Sequence, residues 1–250
     1  MERISSLTKR VQESVDLSLK NKTFLKMQAL ELFGYTSTKN KIFLSNLANY
    51  DDVNYLELGV FRGSTIVPVA LSNCDRCVGI DNFSYNPYRN PTWKTEGYID
   101  VQNGVHDNLE RHKVQNKVKI VKNDIFDTLF EFENVSEKNN LVYIDIEPIT
   151  PIEIKVKEDE PKKYKKELTR FDFSNLFKRV IKSCDKEFIF IVANTNRDEK
   201  HKLITDVLTK IEDITIKSTT RLNNNHGMRQ DDGWYNGLSV YVISKKESKK

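Results

Sequence analysis

The chain has 250 residues, 38% of them hydrophobic and 30% charged, a composition that supports one sizeable buried core. Its formal net charge is +4, but the last six residues, 245–250, hold four lysines and one glutamate, so the rest is nearly neutral. A near-neutral body argues against a nucleic-acid binder with a broad basic face. The sequence shows neither a secretory segment nor an apolar run of about 18 residues, so we expect a cytoplasmic protein without a membrane span.

Apolar residues recur at helix-like intervals through the first 50 residues and predict an N-terminal helical extension over 1–50. They form two runs: Leu7, Val11, Val15, Leu17 and Leu19, then Phe24, Met27, Leu30, Leu32 and Phe33. Gly34 is a natural stop for the second run.

Strands and helices then alternate, as in a parallel sheet. Strands are predicted near 53–58, 77–80, 118–121, 141–144 and 187–192, and helices near 64–72, 103–112, 173–183 and 198–210. Two β-rich runs, at 213–219 and 238–243, form a final hairpin.

The turn after the first strand is rich in glycine. Gly59 and Gly63 are expected to let the backbone approach a ligand, and Ser64 and Thr65 to cap the next helix. A dinucleotide fingerprint is disfavoured because Phe61 and Ser64 stand where it needs its second and third glycines. A phosphate P-loop is excluded because no Gly-Lys-Ser/Thr follows.

Polar residues follow three further strands: Asp81, the segment Asn123-Asp-Ile-Phe126, and Asp145. Strand ends of a parallel sheet meet at one edge, where open α/β sheets bind ligands. These residues and Glu57 therefore predict a ligand crevice there.

Glu57, Gly59 and Gly63, followed by the hydroxyl residues Ser64 and Thr65, resemble motif I of class I S-adenosylmethionine-dependent methyltransferases, small-molecule and sugar type. The resemblance implies an α/β, Rossmann-like fold with a seven-stranded, mostly parallel sheet and an antiparallel C-terminal hairpin. It implies a catalytic domain over 51–245, with a basic tail at 246–250.

The implied cofactor is S-adenosyl-L-methionine. Asp81 would bind the ribose, Asp124 would face the adenine amino group, and Ile125 would pack on the ring. The cofactor-binding residues implied are Glu57, Gly59, Phe61, Gly63, Ser64, Thr65, Asp81, Asn82, Asp124, Ile125 and Asp145.

Methyl transfer to a hydroxyl needs a base or a metal near the methyl group. The family places the end of the fourth strand there, which makes Asp145 the first catalytic candidate, with Glu147 and His226 beside it. Asp145 and Asn194 could hold a divalent cation such as Mg²⁺. Ala193 stands at the first acidic position of the Asp-Asp or Asp-Asn pair that metal-binding relatives carry.

Three loops are candidates for acceptor recognition. The loop 82–103 carries Tyr85 and Trp93, and the segment 231–237 carries Trp234 and Asn236, which either reach the acceptor or form a local turn. The stretch 147–172 is either a solvated insertion or a substrate lid.

The chain has three cysteines, Cys74, Cys77 and Cys184. Cys74 and Cys77 form one C-x-x-C pair, and no second pair is present to complete a zinc site, so we expect buried thiols in a reducing compartment.

The leading hypothesis is an O-methyltransferase acting on a small hydroxylated acceptor, with a sugar such as a deoxyhexose on a glycan preferred. A nucleic-acid methyltransferase and a non-catalytic binding module are the alternatives. Oligomerisation through the N-terminal helices remains open, because these helices could also lie over the cofactor or cover the sheet edge.

Overall fold

The computed structural model describes residues 2–83, 101–145, 173–223, 233–234 and 236–246. Its helices are α1 (Glu2–Leu19), α2 (Met27–Leu30), α3 (Thr38–Leu47), α4 (Ile66–Ala70), α5 (Val101–Arg111), α6 (Phe173–Lys182) and α7 (Asp198–Thr209), with a 3-10 helix at Phe132–Asn134. Its strands are β1 (Asn54–Leu58), β2 (Arg76–Asp81), β3 (Val118–Lys122), β4 (Asn139–Ile144), β5 (Cys184–Ala193), β6 (Ile214–Leu222) and β7 (Leu238–Lys245).

The strands form one seven-stranded sheet in the order β3-β2-β1-β4-β5-β7-β6. β1 to β5 are mutually parallel, and β7 is antiparallel to both β5 and β6. The predicted α/β sheet with its C-terminal hairpin is therefore confirmed. Because the chain moves from β1 outward through β2 to β3 and then returns to β4 on the other side of β1, the order reverses between β1 and β4, which is where such sheets bind ligands.

Side chains alternate between two cores because successive strand residues point to opposite faces. On one face, Tyr55 and Tyr143 belong to the core that α1, α3, α4 and α5 complete. On the other face, Leu56 and Val142 belong to the core completed by α6 and α7. Since parallel strands are covered on both faces, their sequences read as continuous apolar runs, which is why they were predictable.

The N-terminal region differs from the prediction at its second helix. The helix in the run Phe24–Phe33 covers only Met27–Leu30, and Met27 and Phe33 are at least half exposed, so their spacing does not mark a core-facing stripe. Helix α3 follows at Thr38–Leu47 and is buried at eight of its ten positions. A helix buried on nearly all sides lacks the amphipathic period that reveals most helices.

Gly34 has a different role from the predicted helix stop. A Cβ on this residue would lie 1.9 Å from Oγ of Ser64, so the absence of a side chain lets the segment after α2 lie directly on the glycine-rich turn. The N-terminal region is thereby joined to the turn as well as to the sheet.

All three cysteines are free and buried, as predicted. Cys74 and Cys77 lie with their sulfurs 3.3 Å apart, and the hydrogen bond between them lowers the pKa of the Cys74 thiol to about 7. Among the helices that the structure describes, none has both the length and the apolar character needed to cross a bilayer.

Helix α1 contributes Leu7 to the same core as the sheet, whereas Leu17 of that helix is 37% exposed. Replacing Leu7 with Ala should lower the free energy of unfolding by about 2–5 kcal/mol, because it removes buried methyl groups and leaves a cavity. Leu17→Ala, the same change at a partly exposed position of α1, should lower the free energy of unfolding by well under ~1 kcal/mol. Denaturant unfolding of both variants measures this, and equal losses would contradict a structural role for α1.

Candidate functional site

The glycine-rich turn joins β1 to α4, and both of its glycines are required by the protein's own packing. Gly59 has φ +89°, and a Cβ on it would lie 2.0 Å from the carbonyl oxygen of Asp145. Gly63 has φ +80°, and a Cβ there would lie 2.9 Å from Cγ2 of Val105 in α5. The prediction assigned these glycines to ligand approach, but close approach of β4 and α5 already accounts for them.

Glu57 lies beneath this turn and is fully buried. Its two carboxyl oxygens accept hydrogen bonds from Thr65 Oγ1 at 2.5 Å and from Tyr55 Oη at 2.6 Å. Burial raises the pKa of Glu57 to about 8, because removal from water penalises the charged form more than these hydrogen bonds favour it. Through the bond to Thr65, Glu57 holds the end of the turn against strand β1.

The predicted capping of α4 by a hydroxyl differs from the structure. Thr65 occupies the N-cap position, but its side chain makes no capping hydrogen bond because its hydroxyl donates to Glu57. Ser64 is buried against Gly34. Both residues hold the turn in place.

Asp81, at the end of β2, holds the turn from the side. Its carboxylate accepts the backbone N–H of Phe61 at 2.8 Å and that of Phe83 at 2.7 Å. Phe61 has φ +50°, a conformation that non-glycine residues seldom adopt, and its ring lies 5.2 Å from that of Tyr35 and 6.4 Å from that of Phe33. An acid and two aromatic rings of the N-terminal region thus fix this strained residue, and Asn82 lies exposed beside it.

The segment after β3 places Asp124 at the same edge. The backbone N–H of Asn123 donates to the carbonyl of Asp81, and the Asp124 carboxylate accepts the N–H of Phe126 at 3.0 Å. Ile125 is buried in the core on the far face of the sheet from α1. Asp124 is therefore held in a tight turn that begins directly beside the end of β2.

Arg179 of α6, which the sequence analysis did not single out, ties this segment down. It is 6% exposed, and its guanidinium donates to the carbonyls of Ile125, Asp127 and Phe130 at 2.7–2.9 Å. The signal was present in the sequence, because Arg179 interrupts the apolar face formed by Leu176, Phe177 and Val180. A charged residue within a buried stripe calls for a set of polar partners.

At the end of β4, both oxygens of Asp145 receive hydrogen bonds. Asn194 Nδ2 donates to Oδ1 at 2.8 Å, and the hydroxyl of Tyr143 donates to Oδ2 at 3.2 Å. Asn236 Nδ2 in turn donates to Oδ1 of Asn194 at 3.0 Å. Asn194 and Asn236 both have positive φ, 62° and 53°, which asparagine tolerates better than most residues. The chain of amides links β5 and the turn before β7 to Asp145.

Asp81, Asp124, Asp145 and Asn194 together form what we call the strand-end site. Backbone hydrogen bonds run along it from β2 to β4, with Gly59 N–H donating to the carbonyl of Ile80 and Asp145 N–H to that of Leu58. The four residues lie at or just after the ends of β2, β3, β4 and β5, on both sides of β1, at the edge where the strand order reverses.

Asp145 and Asn194, the predicted metal ligands, are bonded to each other instead. The amide nitrogen of Asn194 faces the carboxylate, and its oxygen is taken by Asn236. Within the described ranges, no group of three or more His, Cys, Asp or Glu side chains could hold a metal ion. The described residues therefore do not fit a divalent cation at this position.

Of the other predicted site residues, the structure describes Trp234 and Asn236. Trp234 is 6% exposed and packs edge-to-face on Phe43 of α3, so its ring is a core residue rather than the predicted acceptor contact. Asn236 lies at the strand-end site through its bond to Asn194. The remaining predicted residues lie outside the described part of the chain: Tyr85, Trp93, Glu147 and His226.

No protein-family model matches this sequence, and no curated protein matches it significantly. Solved structures do match. An O-methyltransferase from Bacillus cereus in complex with SAH is 15% identical, with 95% of this chain and 91% of that chain covered and a TM-score of 0.53. The O-methyltransferase TomG from Streptomyces achromogenes, involved in tomaymycin synthesis and solved with SAM, is 16% identical, with 95% and 89% covered and a TM-score of 0.51.

A putative RNA methyltransferase from Pyrococcus horikoshii is equally similar in structure, at 13% identity, 95% and 98% coverage and a TM-score of 0.51. The chain therefore has the class I methyltransferase fold, as predicted. Because the similar structures include both O-methyltransferases and a putative RNA methyltransferase, the fold alone does not identify the acceptor.

Glu57→Gln should flatten the pH dependence of stability. The folded-state pKa of Glu57 is raised above its ordinary value of 4.5, so the stability this group contributes is complete below about pH 4.5 and is lost as the pH rises to about 8. Relative to the wild type, the Gln variant should therefore gain stability, on the order of a few kcal/mol, between these two pH values. Urea unfolding at pH 4.5, 6 and 8 measures the difference. Glu137→Gln, at an exposed position, is the control, and parallel curves for wild type and Glu57→Gln would contradict the burial argument.

Proposed function

We propose that the protein is an S-adenosylmethionine-dependent O-methyltransferase acting on a small hydroxylated acceptor. The observation that carries this proposal is the strand-end site, in which three carboxylates and an amide lie at the ends of four strands on both sides of β1, at the reversal point of the sheet. The similar folds of O-methyltransferases solved with SAM and SAH support it.

The cofactor would be held by residues on the β1 to β3 side of the site. Asp81 is half-buried, and its carboxylate already accepts two backbone N–H groups, which keep it oriented and leave lone pairs for the ribose hydroxyls. Asp124 would contact the adenine, and Ile125, which is buried in the core, remains a prediction as a residue packing on the ring. The turn from Gly59 to Thr65, fastened by Glu57, would carry the rest of the molecule. When bound, the cofactor supplies an electrophilic methyl group.

Asp145 would accept the proton of the acceptor hydroxyl. Bonds from Asn194 and Tyr143 hold its carboxylate at the end of β4, beside the glycine turn, so it cannot rotate freely. Positioning of this kind is the main contribution a protein makes to an in-line displacement. A divalent cation has no part in this proposal, because the described residues do not fit one. Glu147 and His226 remain predictions as additional bases.

For the acceptor we propose a sugar, with a deoxyhexose of a glycan as the first candidate. The near-neutral body supports a small acceptor over a polynucleotide. The Pyrococcus horikoshii structure keeps methylation of RNA as the second candidate. Transfer of labelled methyl groups to a panel of free sugars, glycans and RNA distinguishes the two, since activity on RNA should fall steeply with added salt and activity on a sugar should not.

Asp81→Asn should weaken binding of SAH by about 100-fold, because hydrogen bonds to a charged group contribute roughly 1.5–3 kcal/mol each. Asp75→Asn is a matched control, since Asp75 is an exposed acid just before the same strand. Calorimetry with SAH gives both affinities. Unchanged affinity in Asp81→Asn would overturn the cofactor assignment.

Asp145→Asn should reduce kcat by about 100-fold or more, as expected for loss of a general base. Asn194→Ala should reduce kcat roughly tenfold, because it removes the bond that orients this base while leaving the charge. Asn194→Ala should leave the affinity for SAH unchanged, because Asn194 is not among the residues assigned to the cofactor. Asp213→Asn, an exposed acid before β6, serves as the control. Full activity in Asp145→Asn would exclude it as the base without touching the cofactor assignment.

A further inference from the structure

A cavity lies between the residues around α2 and the helix α5, beside the glycine turn that carries Arg62. Its volume is about 470 Å³, within the range of roughly 300–1,000 Å³ typical of small-molecule pockets. We call it the α2–α5 cavity; its principal lining residues are Leu32, Phe33, Arg62, Asn108, Arg111 and His112. None of the four strand-end residues lines it.

Two residues of helix α5, Asn108 and Gly104, position Arg62 against that helix. Asn108 Nδ2 donates to the backbone carbonyl of Arg62 at 2.9 Å. Gly104, one turn earlier, leaves room for the guanidinium, since a Cβ there would lie 2.7 Å from Nε of Arg62 and 3.3 Å from Cζ. A glycine inside a helix costs about 1 kcal/mol relative to alanine. Here it allows the arginine to rest against the helix in one orientation.

Positive charge predominates in this cavity. Arg62 and Arg111 line it, and Glu31 is the one acidic residue among the described residues of the lining. Burial and the nearby Arg111 lower the pKa of the His112 imidazole, which disfavours its charged form. None of the ion pairs in the described part of the chain involves either arginine.

Two buried nitrogens in the lining lack partners. Arg62 Nε and His112 Nε2 are shielded from solvent and have no hydrogen-bond acceptor or donor among the described residues. A buried polar group without a partner costs free energy, and such groups are uncommon in folded proteins. Because these atoms have almost no accessible surface, a ligand oxygen in the cavity would bond them only after a small shift of the two side chains.

The opposite wall is apolar and is anchored. Phe33 presents its ring, half exposed, with the guanidinium of Arg62 at 5.9 Å from the ring centroid. Lys41 of α3, buried at 3% exposure, donates to the carbonyls of Leu30 and Leu32 and so fixes the backbone that carries Leu32 and Phe33. The cavity thus has a cationic side and an apolar side, both held by other parts of the fold.

We propose that the α2–α5 cavity binds a small phosphomonoester, with Arg62 and Arg111 on the phosphate and Phe33 and Leu32 against the organic group. Guanidinium groups pair with phosphate oxygens through parallel hydrogen bonds, and a phosphomonoester has enough oxygens for both arginines and for His112. The cavity adjoins the turn that would carry the cofactor, because Arg62 belongs to that turn, but Arg111, Phe33 and Leu32 have no part in the proposed methyl transfer.

Calorimetry of the full chain with phenyl phosphate tests the proposal, with inorganic phosphate and phenol as the two partial ligands. Phenyl phosphate should bind tightest, inorganic phosphate more weakly, and phenol not measurably. Arg111→Ala should weaken phenyl phosphate binding by about tenfold or more. Lys113→Ala removes an exposed positive charge two residues away, outside the lining, and should leave the affinity unchanged.

Gly104→Ala gives a second test that alters no charge. Its Cβ would displace the Arg62 guanidinium, so phosphate affinity should fall although alanine favours the helix. SAH affinity in Arg111→Ala should stay at the wild-type value, which separates this proposal from the methyl-transfer proposal. Absence of phenyl phosphate binding to the wild type, or equal affinity in wild type and Arg111→Ala, would overturn it.

Discussion

The candidate site depends on one buried carboxyl group. Glu57 lies near the end of strand β1, fully buried, and its oxygens accept hydrogen bonds from the hydroxyls of Tyr55 in the same strand and Thr65 at the start of α4. The bond from Thr65 ties the far end of the glycine turn to β1, and the bond from Tyr55 holds the Glu57 carboxyl group in place within that strand. Since an unpartnered buried carboxyl group would be costly, the turn can move only by breaking bonds that water cannot replace. The position of every group bonded to the turn follows from this constraint.

The turn in turn sets the spacing of the strand ends. Gly59 allows the carbonyl of Asp145 to approach where any side chain would collide, and this contact brings the end of β4 against the turn. On the other side, Asp81 holds the strained Phe61 through its backbone N–H. The same short turn therefore positions both Asp81, at the end of β2, and Asp145, just after β4. Asn194 and Asn236 extend the arrangement to β5 and β7, so that one continuous polar edge crosses the middle of the sheet.

Much of this architecture could be read from the sequence, because local chemistry dictated it. The parallel strands are apolar runs ending in Asp81, Asp124 and Asp145, and the polar ends coincide with the observed edge of the sheet. What the sequence could not supply was which partner each residue meets. Gly59 and Gly63 were visible as glycines, but only the fold shows that Asp145 and Val105 require them.

Two further differences have the same origin in long-range packing. Trp234 sits in a turn-like segment that gives no sign of burial, yet it packs on Phe43, nearly two hundred residues earlier in the chain. Helix α3 was not predicted individually because it is buried on almost every side, so no polar face marks its period.

The N-terminal region that contains it was predicted as an extension, but it also packs on the glycine turn: Gly34 lies on Ser64, and the rings of Phe33 and Tyr35 lie near that of Phe61. Phe33 and the neighbouring Arg62 also line the α2–α5 cavity. The glycine turn therefore stands between two recesses, with the strand-end site on one side and a cationic cavity on the other. Because Phe61 and Arg62 are adjacent in the chain, a change in the backbone of one must be transmitted to the other.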